Sequence, residues 1–224
     1  MNIEKISYIG QRPDNQDSLM VYSGSKSMFA AAVADGVGSF DESSVCSQFI
    51  TTFLEKFLEE EKERILELSL EELEMVLYET VKDLHDKLLY IANEKKINYG
   101  STLTFFLIVE NTYIVVQIGD SRCYIYENGV LRQITKDQTV KKKKSVLLQA
   151  LGHSQIEPMI YDGIIADKYI VLLCTDGLTN EISSNDIRGV LRMNASNSEK
   201  LEILLDMAKN AGEEDNISAI LINS

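Results

Sequence analysis

The chain has 224 residues; 45% of them are hydrophobic and 25% are charged, a composition that can build a sizeable core and excludes wholesale disorder. Its 35 acidic and 22 basic side chains give a formal net charge of −13, which disfavours nucleic acid as a partner because proteins that bind a phosphate backbone are usually basic. With two prolines and no linker-like stretch, residues 1–224 are expected to form a single domain.

The first half of the chain predicts a buried strand followed by two helices. The run FAAAVADGVGS (residues 29–39) is apolar up to Asp35-Gly36, where a turn is expected. Two series of apolar residues then recur at the three- to four-residue spacing of amphipathic helices, and these helices are expected to cover one layer of the core. The series are Val45, Phe49, Ile50, Phe53, Leu54, Phe57 and Leu58, then Leu73, Val76, Leu77, Val81, Leu84, Leu88 and Ile91.

The second half is rich in β-branched and aromatic residues, which predicts strands in residues 101–110, 112–134 and 168–177. ENGV (residues 127–130) predicts a hairpin turn. Ser196 and Glu199 fit a capping box at the start of a helix that Gly212 would end, and a last strand follows in residues 215–223. Consecutive strands with short connections predict an α+β fold of antiparallel sheets with helices on the outer faces.

Cysteine usage and apolar runs predict a soluble, cytoplasmic protein without a membrane partner. Cys46, Cys123 and Cys174 lie in apolar segments without metal-like spacing, as expected of free thiols in a reducing compartment. The N-terminus lacks the apolar core of a signal peptide. The apolar runs are of strand length, short of the roughly 20 residues that a membrane helix needs.

Acidic residues meet the apolar runs at four points. Asp35, Asp120 and Asp176 each follow such a run, and Asp215 precedes the last one. For Asp35 or Asp176 alone a turn is the favoured interpretation. Four carboxylates at one edge, however, would repel one another unless a cation offsets their charge. Oxygen ligands favour Mg²⁺ or Mn²⁺, and two such ions about 3.5–4 Å apart would activate a water for phosphoryl transfer.

Few other residues suit this chemistry. Arg12, in GQRPDNQDS, precedes a turn-like segment and has a planar guanidinium that can bind a phosphate, although an ordinary surface arginine is an equal alternative. The two histidines, His85 and His153, are interpreted as packing or surface residues rather than metal ligands.

Six motifs occur in the order found in one protein family. They are GQRPDNQDS, VADGVGS, GSTLT, VVQIGDSRCYIY, LLCTDGLTNEIS and EEDNISAILI. From Gly10 to Leu221 the chain therefore resembles the PPM-type (type 2C) metal-dependent protein phosphatases, in particular bacterial members. Each motif alone is unspecific, but six in the right order are specific. The resemblance implies a four-layer α-β-β-α sandwich, in which helices flank two antiparallel sheets.

The resemblance also implies a set of metal ligands. Asp35 would bridge two Mn²⁺ or Mg²⁺ ions, and the carbonyl of Gly36 would complete one of them. Asp176 and Asp215 would bind the second ion. Asp120 would help to hold a third, weaker ion that Asp176 would share.

The implied reaction is in-line attack of a metal-bound hydroxide on phosphoserine or phosphothreonine, without a phosphoenzyme. Arg12 would bind the substrate phosphate, and Asp17 would hydrogen-bond a metal-bound water. The expected partners are a phosphorylated protein and a cognate serine/threonine kinase system.

Three positions depart from the family pattern. Gln16 stands where many members have Glu, and Val37 stands where eukaryotic members have His. Asn180 replaces an Asp of many members, which weakens the implied third metal site because a neutral amide binds a hard cation less well. Gln16, Asn180 and the shortened loop at KKKKS (residues 141–145) motivate an alternative, a catalytically weak or silent regulatory module that keeps the fold. A third class, the two-metal nucleases, is disfavoured by the net charge.

Four consecutive lysines, Lys141–Lys144, stand in a chain whose formal net charge is −13. In the family, a segment that resembles TKDQTV leads into a flap beside the active site, and one that resembles LLQALG follows it. Here only KKKKS separates the two, so the lysines are interpreted as a shortened flap. They are either a solvated loop tip or a basic patch that attracts phosphorylated substrate.

Overall fold

The computed structural model describes residues 1–25, 27–37, 42–140, 143–153 and 155–224, without the side chains of Ser25 and of residues 143–145. The strands are β1 (Asn2–Tyr8), β2 (Asp17–Ser25), β3 (Met28–Val37), β4 (Gly100–Ser101), β5 (Leu103–Val109), β6 (Thr112–Ile118), β7 (Arg122–Glu127), β8 (Val130–Gln133), β9 (Thr139–Val140), β10 (Lys143–Leu147), β11 (Met159–Ile164), β12 (Tyr169–Cys174) and β13 (Ile217–Asn223). The helices are α1 (Ser43–Ile65), α2 (Leu70–Lys95), α3 (Asp176–Thr179), α4 (Ser184–Leu191) and α5 (Asn197–Ala211).

The strands form two antiparallel sheets. Within the described residues, one sheet has the order β1-β13-β12-β7-β8, and the other has the order β11-β6-β5-β3-β2 with β4 paired to the end of β3. Strands β9 and β10 form a separate pair. The expectation of antiparallel sheets is therefore confirmed.

The alternation of side chains along the strands defines the layers, since neighbouring residues point to opposite faces of a sheet. In β3, Phe29 and Ala31 pack between the two sheets, whereas Ala30 and Ala32 pack with the buried faces of α1 and α2. On the other sheet, Leu172 in β12 packs with α4 and α5. The result is the predicted four-layer α-β-β-α sandwich, with an apolar core between each pair of layers.

The predicted helices are confirmed, with one exception in their apolar stripes. The capping box of Ser196 and Glu199 forms, and Gly212 ends α5 in the left-handed conformation at φ 97°. Val45 is 52% exposed although it belongs to the predicted stripe of α1. At about 100° per residue, Val45 lies roughly 140° around the helix from the buried Ile50.

The turn predicted at Asp35-Gly36 is wrong, whereas the one at ENGV is confirmed. Strand β3 continues through Val37 because Gly36 and Val37 pair with β4. At the β7–β8 hairpin, Asn128 and Gly129 have φ values of 51° and 81°, as a two-residue hairpin turn requires.

Strands β1, β2 and β11 and helix α4 have no counterpart among the predicted elements. His85 is buried and accepts a hydrogen bond from the backbone N–H of Gly152 at Nδ1 (3.2 Å), so it is a packing residue. Lys141 and Lys142 and the side chains of Lys143 and Lys144 lie outside what the structure describes. No helix in the described ranges is long and apolar enough to cross a membrane.

Candidate active site

Five carboxylates meet where strands from both sheets end. Asp17 begins β2 and is the register partner of Asp35 in β3. Asp120 lies between β6 and β7, Asp176 is the first residue of α3 after β12, and Asp215 lies just before β13. Four of them act on the fifth, since Asp17, Asp176, Asp120 and Asp215 all raise the pKa of Asp35 by charge repulsion, after the larger effect of burial.

The two carboxylate oxygens of Asp17 differ in their hydrogen bonding. Its Oδ2 accepts a hydrogen bond from Thr175 Oγ1 (3.0 Å), whereas its buried Oδ1 has no hydrogen-bond partner among the described residues. Burial, reinforced by repulsion from Asp176 and Asp215, raises the pKa of Asp17 to about 7. An acceptor atom of this kind is suited to a ligand or an ordered water.

Asp35 is fixed through its backbone. Its N–H donates to Thr102 Oγ1 (3.0 Å), and the N–H of Thr102 donates to the carbonyl oxygen of Asp35 (2.8 Å). Thr102 lies between β4 and β5, so two strands hold this residue. The sheet thereby fixes the backbone of Asp35, and its side chain hydrogen-bonds with that of Asp176.

Asp120 and Asp176 are a second pair of interacting carboxylates. Asp120 is 8% exposed, and burial, followed by repulsion from Asp176, raises its pKa to about 7. The pKa of Asp176 is raised by burial and by Asp215, and the amide of Asn180 opposes this effect by donating from Nδ2 to Asp176 Oδ2 (3.4 Å). Asn180 thus contacts a carboxylate that a cation would need.

Arg12 lies at the edge of this cluster. Its Nη2 donates to Asp215 Oδ2 at 2.7 Å, and the two side chains are 56% and 33% exposed. The hydrogen bond and the charge of Asp215 raise the pKa of the Arg12 guanidinium, with smaller effects from Asp176 and Asp35. The guanidinium of Arg12 is thus half-exposed to solvent beside the carboxylates.

Two glycines allow the backbone to close around the cluster. A Cβ at Gly36 would lie 2.5 Å from the carbonyl oxygen of Ser43 and 2.8 Å from that of Gln16. Gly10 has φ +66°, and a Cβ there would lie 2.1 Å from the carbonyl oxygen of Asp215. A larger residue at Gly36 would push the segment of Asp35 away from Ser43 and Gln16, and one at Gly10 would push the segment of Asp215 away from residue 10.

Asn216 is a site residue that sequence reasoning missed. Its Oδ1 accepts from the N–H of Gln16 (2.8 Å), while its Nδ2 donates to the carbonyl oxygens of Ile9 (2.7 Å) and Asp14 (3.1 Å). One amide therefore ties the segment that carries Arg12 to the start of β13. The only signal in the sequence is its position next to Asp215, in DNIS.

Hard divalent cations suit this set of donors. Among the residues that the structure describes, no three His, Cys, Asp or Glu side chains are gathered into a complete cation site. The carboxylates are nevertheless near enough to raise one another's pKa, and Asp17 has an unpartnered buried oxygen. A divalent cation with oxygen ligands would offset that repulsion, so the residues fit Mg²⁺ or Mn²⁺.

Comparison with known proteins gives one family. The family model described as protein phosphatase 2C matches residues 7–213. The serine/threonine phosphatase stp of Listeria monocytogenes is 28% identical to the chain over 94% of the chain and 90% of the relative. The protein phosphatase PhpP of Streptococcus pneumoniae is 25% identical over 100% of the chain and 97% of the relative.

Solved structures give the same fold. The serine/threonine phosphatase PstP/Ppp of Mycobacterium tuberculosis superimposes with a TM-score of 0.82 at 27% identity, covering 98% of this chain and 97% of the other. The serine/threonine phosphatase of S. agalactiae has a TM-score of 0.85 at 22% identity, and the match covers 98% of each chain.

Proposed function

Because the chain belongs to the protein phosphatase 2C family, we propose that it hydrolyses phosphoserine and phosphothreonine in proteins with Mn²⁺ or Mg²⁺ as cofactor. The observation that carries the proposal is the meeting of five interacting carboxylates at the strand ends, with the half-exposed Arg12 at their edge. The whole of residues 1–224 acts as one phosphatase domain.

The carboxylates have separate roles in holding the cofactor. Asp35, Asp176 and Asp215, with the carbonyl oxygen of Gly36, would hold two divalent cations, and Asp120 would hold a third together with Asp176. When bound, the cations acidify a water and offset the charge of the phosphate. Asn180, which donates to Asp176, makes this third position the weakest.

The remaining residues bind and orient the reactants. Arg12 binds the phosphate with its planar fork, in a geometry that a single ammonium group cannot reproduce. Asp17, held at Oδ2 by Thr175, accepts a hydrogen bond from the attacking water at Oδ1. The water oxygen adds to phosphorus as the bond to the serine or threonine oxygen breaks. The water loses one proton and the leaving oxygen gains one, so the products are inorganic phosphate and the free hydroxyl.

A substrate of this kind requires a kinase that transfers phosphate to serine or threonine in the same compartment. A cognate serine/threonine kinase is therefore the second expected partner. The silent regulatory module is not favoured, because all five carboxylates are present and the chain aligns with named phosphatases over nearly its full length.

Hydrolysis of phosphoserine and phosphothreonine peptides by the purified chain, with and without Mn²⁺, tests the proposal. Activity should require the metal and should fall by about 10³-fold or more in Asp176→Asn, since a ligand of the essential ions is lost. Activity in excess EDTA, or full activity in Asp176→Asn, would reject it. Calorimetric titration with Mn²⁺ separates an inactive metal-binding protein from one that binds no metal.

A further inference from the structure

The turn that carries Asp120 is held at Ser121 by Thr104 and Thr102 and at Gly119 by Gln138, while Gln117 Nε2 donates to the carbonyl oxygens of both Gly119 (3.1 Å) and Ser121 (3.5 Å). At the Ser121 end, Thr104 Oγ1 donates to the carbonyl oxygen of Ser121 (2.7 Å), and the hydroxyls of Thr102 and Ser121 share a hydrogen bond of 2.7 Å. Sheet residues thus fix this end. At the other end Gly119 adopts φ +95°, a conformation that favours glycine, and its backbone N–H and carbonyl oxygen are hydrogen-bonded by residues outside the turn.

Gln138 and Gln117 make the hydrogen bonds to the backbone of Gly119. The N–H of Gly119 donates to Gln138 Oε1 (2.6 Å), and the N–H of Gln138 donates to the carbonyl oxygen of Gly119 (3.1 Å). Gln117 Nε2 donates to the same carbonyl (3.1 Å). Gln138 is 9% exposed, so removal of its oxygen would leave a buried N–H without an acceptor, which is unfavourable.

Gln149 connects Gln138 to the segment that follows β10. Gln149 Nε2 donates to Gln138 Oε1 (2.8 Å), and its amide exchanges hydrogen bonds with the backbone of Glu157 at 2.7 and 3.0 Å. The N–H of Leu148 also donates to the carbonyl oxygen of Gln138 (2.8 Å). A chain of hydrogen bonds therefore runs from Gly119, next to Asp120, to Glu157.

We propose that Gln138 is a positioning residue that holds the turn of Asp120 where this carboxylate binds a divalent cation, and that Gln149 ties this hold to the backbone of Glu157. The inference rests on the proposed function, in which Asp120 is a cation ligand. Cation affinity depends on ligands held close to their bound geometry, and loss of a partner outside the ligand set typically lowers metal affinity about 10–100-fold.

The side-chain contacts of Gln138 are made by its Oε1 atom, so a variant that keeps an oxygen at this position is conservative. Among the described residues Gln138 Nε2 has no hydrogen-bond partner, whereas Oε1 accepts two hydrogen bonds. Gln138→Glu keeps an acceptor oxygen at this place, and Gln138→Met keeps the length of the side chain but removes the acceptor. Gln155→Met makes the same exchange at an exposed position between β10 and β11 and serves as the control.

The test is calorimetric titration of Mn²⁺ into the full-length protein freed of metal, for the parent and each variant. Gln138→Met should weaken the lowest-affinity Mn²⁺ binding about tenfold, whereas Gln138→Glu and Gln155→Met should stay within about threefold of the parent. Asp120→Asn identifies that binding event, because it should abolish it. Thermal melts show whether each variant still unfolds cooperatively, and kcat and KM for a phosphopeptide are measured over a range of Mn²⁺ concentrations.

In the kinetics, Gln138→Met should lower kcat at limiting Mn²⁺ with KM for the peptide unchanged, and excess Mn²⁺ should restore it. An isotherm of Gln138→Met equal to that of the parent, or an equal loss in Gln155→Met, would overturn the proposal. So would a Gln138→Glu variant as weak as Gln138→Met. Failure of the proposed function is distinct, since it appears as absent hydrolysis in the parent whatever the isotherms show.

Discussion

Arg12 Nη2 lies 2.7 Å from Asp215 Oδ2, in an ion pair between residues 203 positions apart in the chain. The pair joins the segment before β2 to the start of β13. A proposed phosphate ligand and a proposed cation ligand therefore contact each other directly. A bound phosphate would compete with Asp215 for the same guanidinium. Substitution of Arg12 can therefore show separately how the pair affects substrate binding and how it affects stability.

Arg12→Lys should lower kcat/KM for phosphopeptides roughly 10–100-fold, since the planar fork and its charge-assisted hydrogen bonds are lost. The melting temperature should hardly change, because a half-exposed ion pair contributes only about 0–1 kcal/mol. Arg64→Lys is the matched control: Arg64 pairs with Glu61 at 3.0 Å and has similar exposure, but lies on α1 away from the site. Equal kinetics for the parent and Arg12→Lys would contradict a phosphate-binding role.

Asn180→Asp should increase the stabilisation of the protein by Mn²⁺. The change replaces an amide that donates to Asp176 with a carboxylate, which adds charge and an oxygen ligand. In EDTA the variant should be about 1 kcal/mol less stable than the parent, because like charges then lie side by side. Thermal melts with and without Mn²⁺ measure both effects.

Asn194→Asp adds the same charge at an exposed position between α4 and α5 and should leave both melts as in the parent. A smaller rise in melting temperature with Mn²⁺ for Asn180→Asp than for the parent would argue against a cation beside Asp176.

The metal-free protein should lose stability as the pH rises from about 4 to about 7. Burial raises the pKa of Asp17 and of Asp120 from 3.8 to about 7, so the folded state binds these protons more tightly than the unfolded state. Their contribution to stability is thus complete below the unfolded pKa and is lost as the pH passes the folded pKa. Urea unfolding in EDTA at several pH values measures the slope.

Asp120→Asn removes one of these titrations. Relative to the parent, its free energy of unfolding should rise by on the order of 2 kcal/mol between pH 4 and pH 7.5. Asp206→Asn, at a 69% exposed position on α5, is the control and should follow the pH dependence of the parent. Parallel curves for the parent and Asp120→Asn would show that Asp120 titrates normally.

Asn216→Ala should destabilise the fold by about 3 kcal/mol, at ~1 kcal/mol for each of its three side-chain hydrogen bonds to the segment of residues 9–16. Activity should fall as well, because Arg12 lies in that segment. Urea unfolding gives the free energy. Asn93→Ala, at an exposed position of α2, should change stability by less than about 0.5 kcal/mol. A loss below ~1 kcal/mol for Asn216→Ala would mean that other contacts hold the segment.

Replacement of Lys141–Lys144 by Gln tests the basic patch that the sequence suggests. If these lysines attract phosphorylated substrate, KM should rise at low salt, and the difference from the parent should vanish as ionic strength screens the charges. Replacement of the exposed Lys5, Lys95, Lys96 and Lys168 by Gln is the control, because it makes the same change of four in net charge. Kinetics identical to the parent at low salt would leave the lysines as a solvated loop tip.

The parts of the fold that could be predicted are those with strong local patterns. The apolar stripes of α1 and α2 and the Asn128-Gly129 hairpin follow from residues close together in sequence. Strand β1 was not predicted because its residues are mostly exposed or half-buried and do not form an apolar run. The turn expected at Asp35-Gly36 failed because β4, from a distant part of the chain, pairs with this dipeptide and extends the strand.

The sequence by itself indicated the family and the carboxylates of the proposed site, because an ordered set of motifs is a local property, and the resemblance to that family implied the layer order. Only the tertiary structure decided which of these groups interact. The β2–β3 register places Asp17 opposite Asp35, a long-range ion pair joins Arg12 to Asp215, and the amides of Asn216 and Gln138 fix segments far from them in the chain. Burial, which raises the carboxyl pKa values, likewise exists only once both sheets have packed.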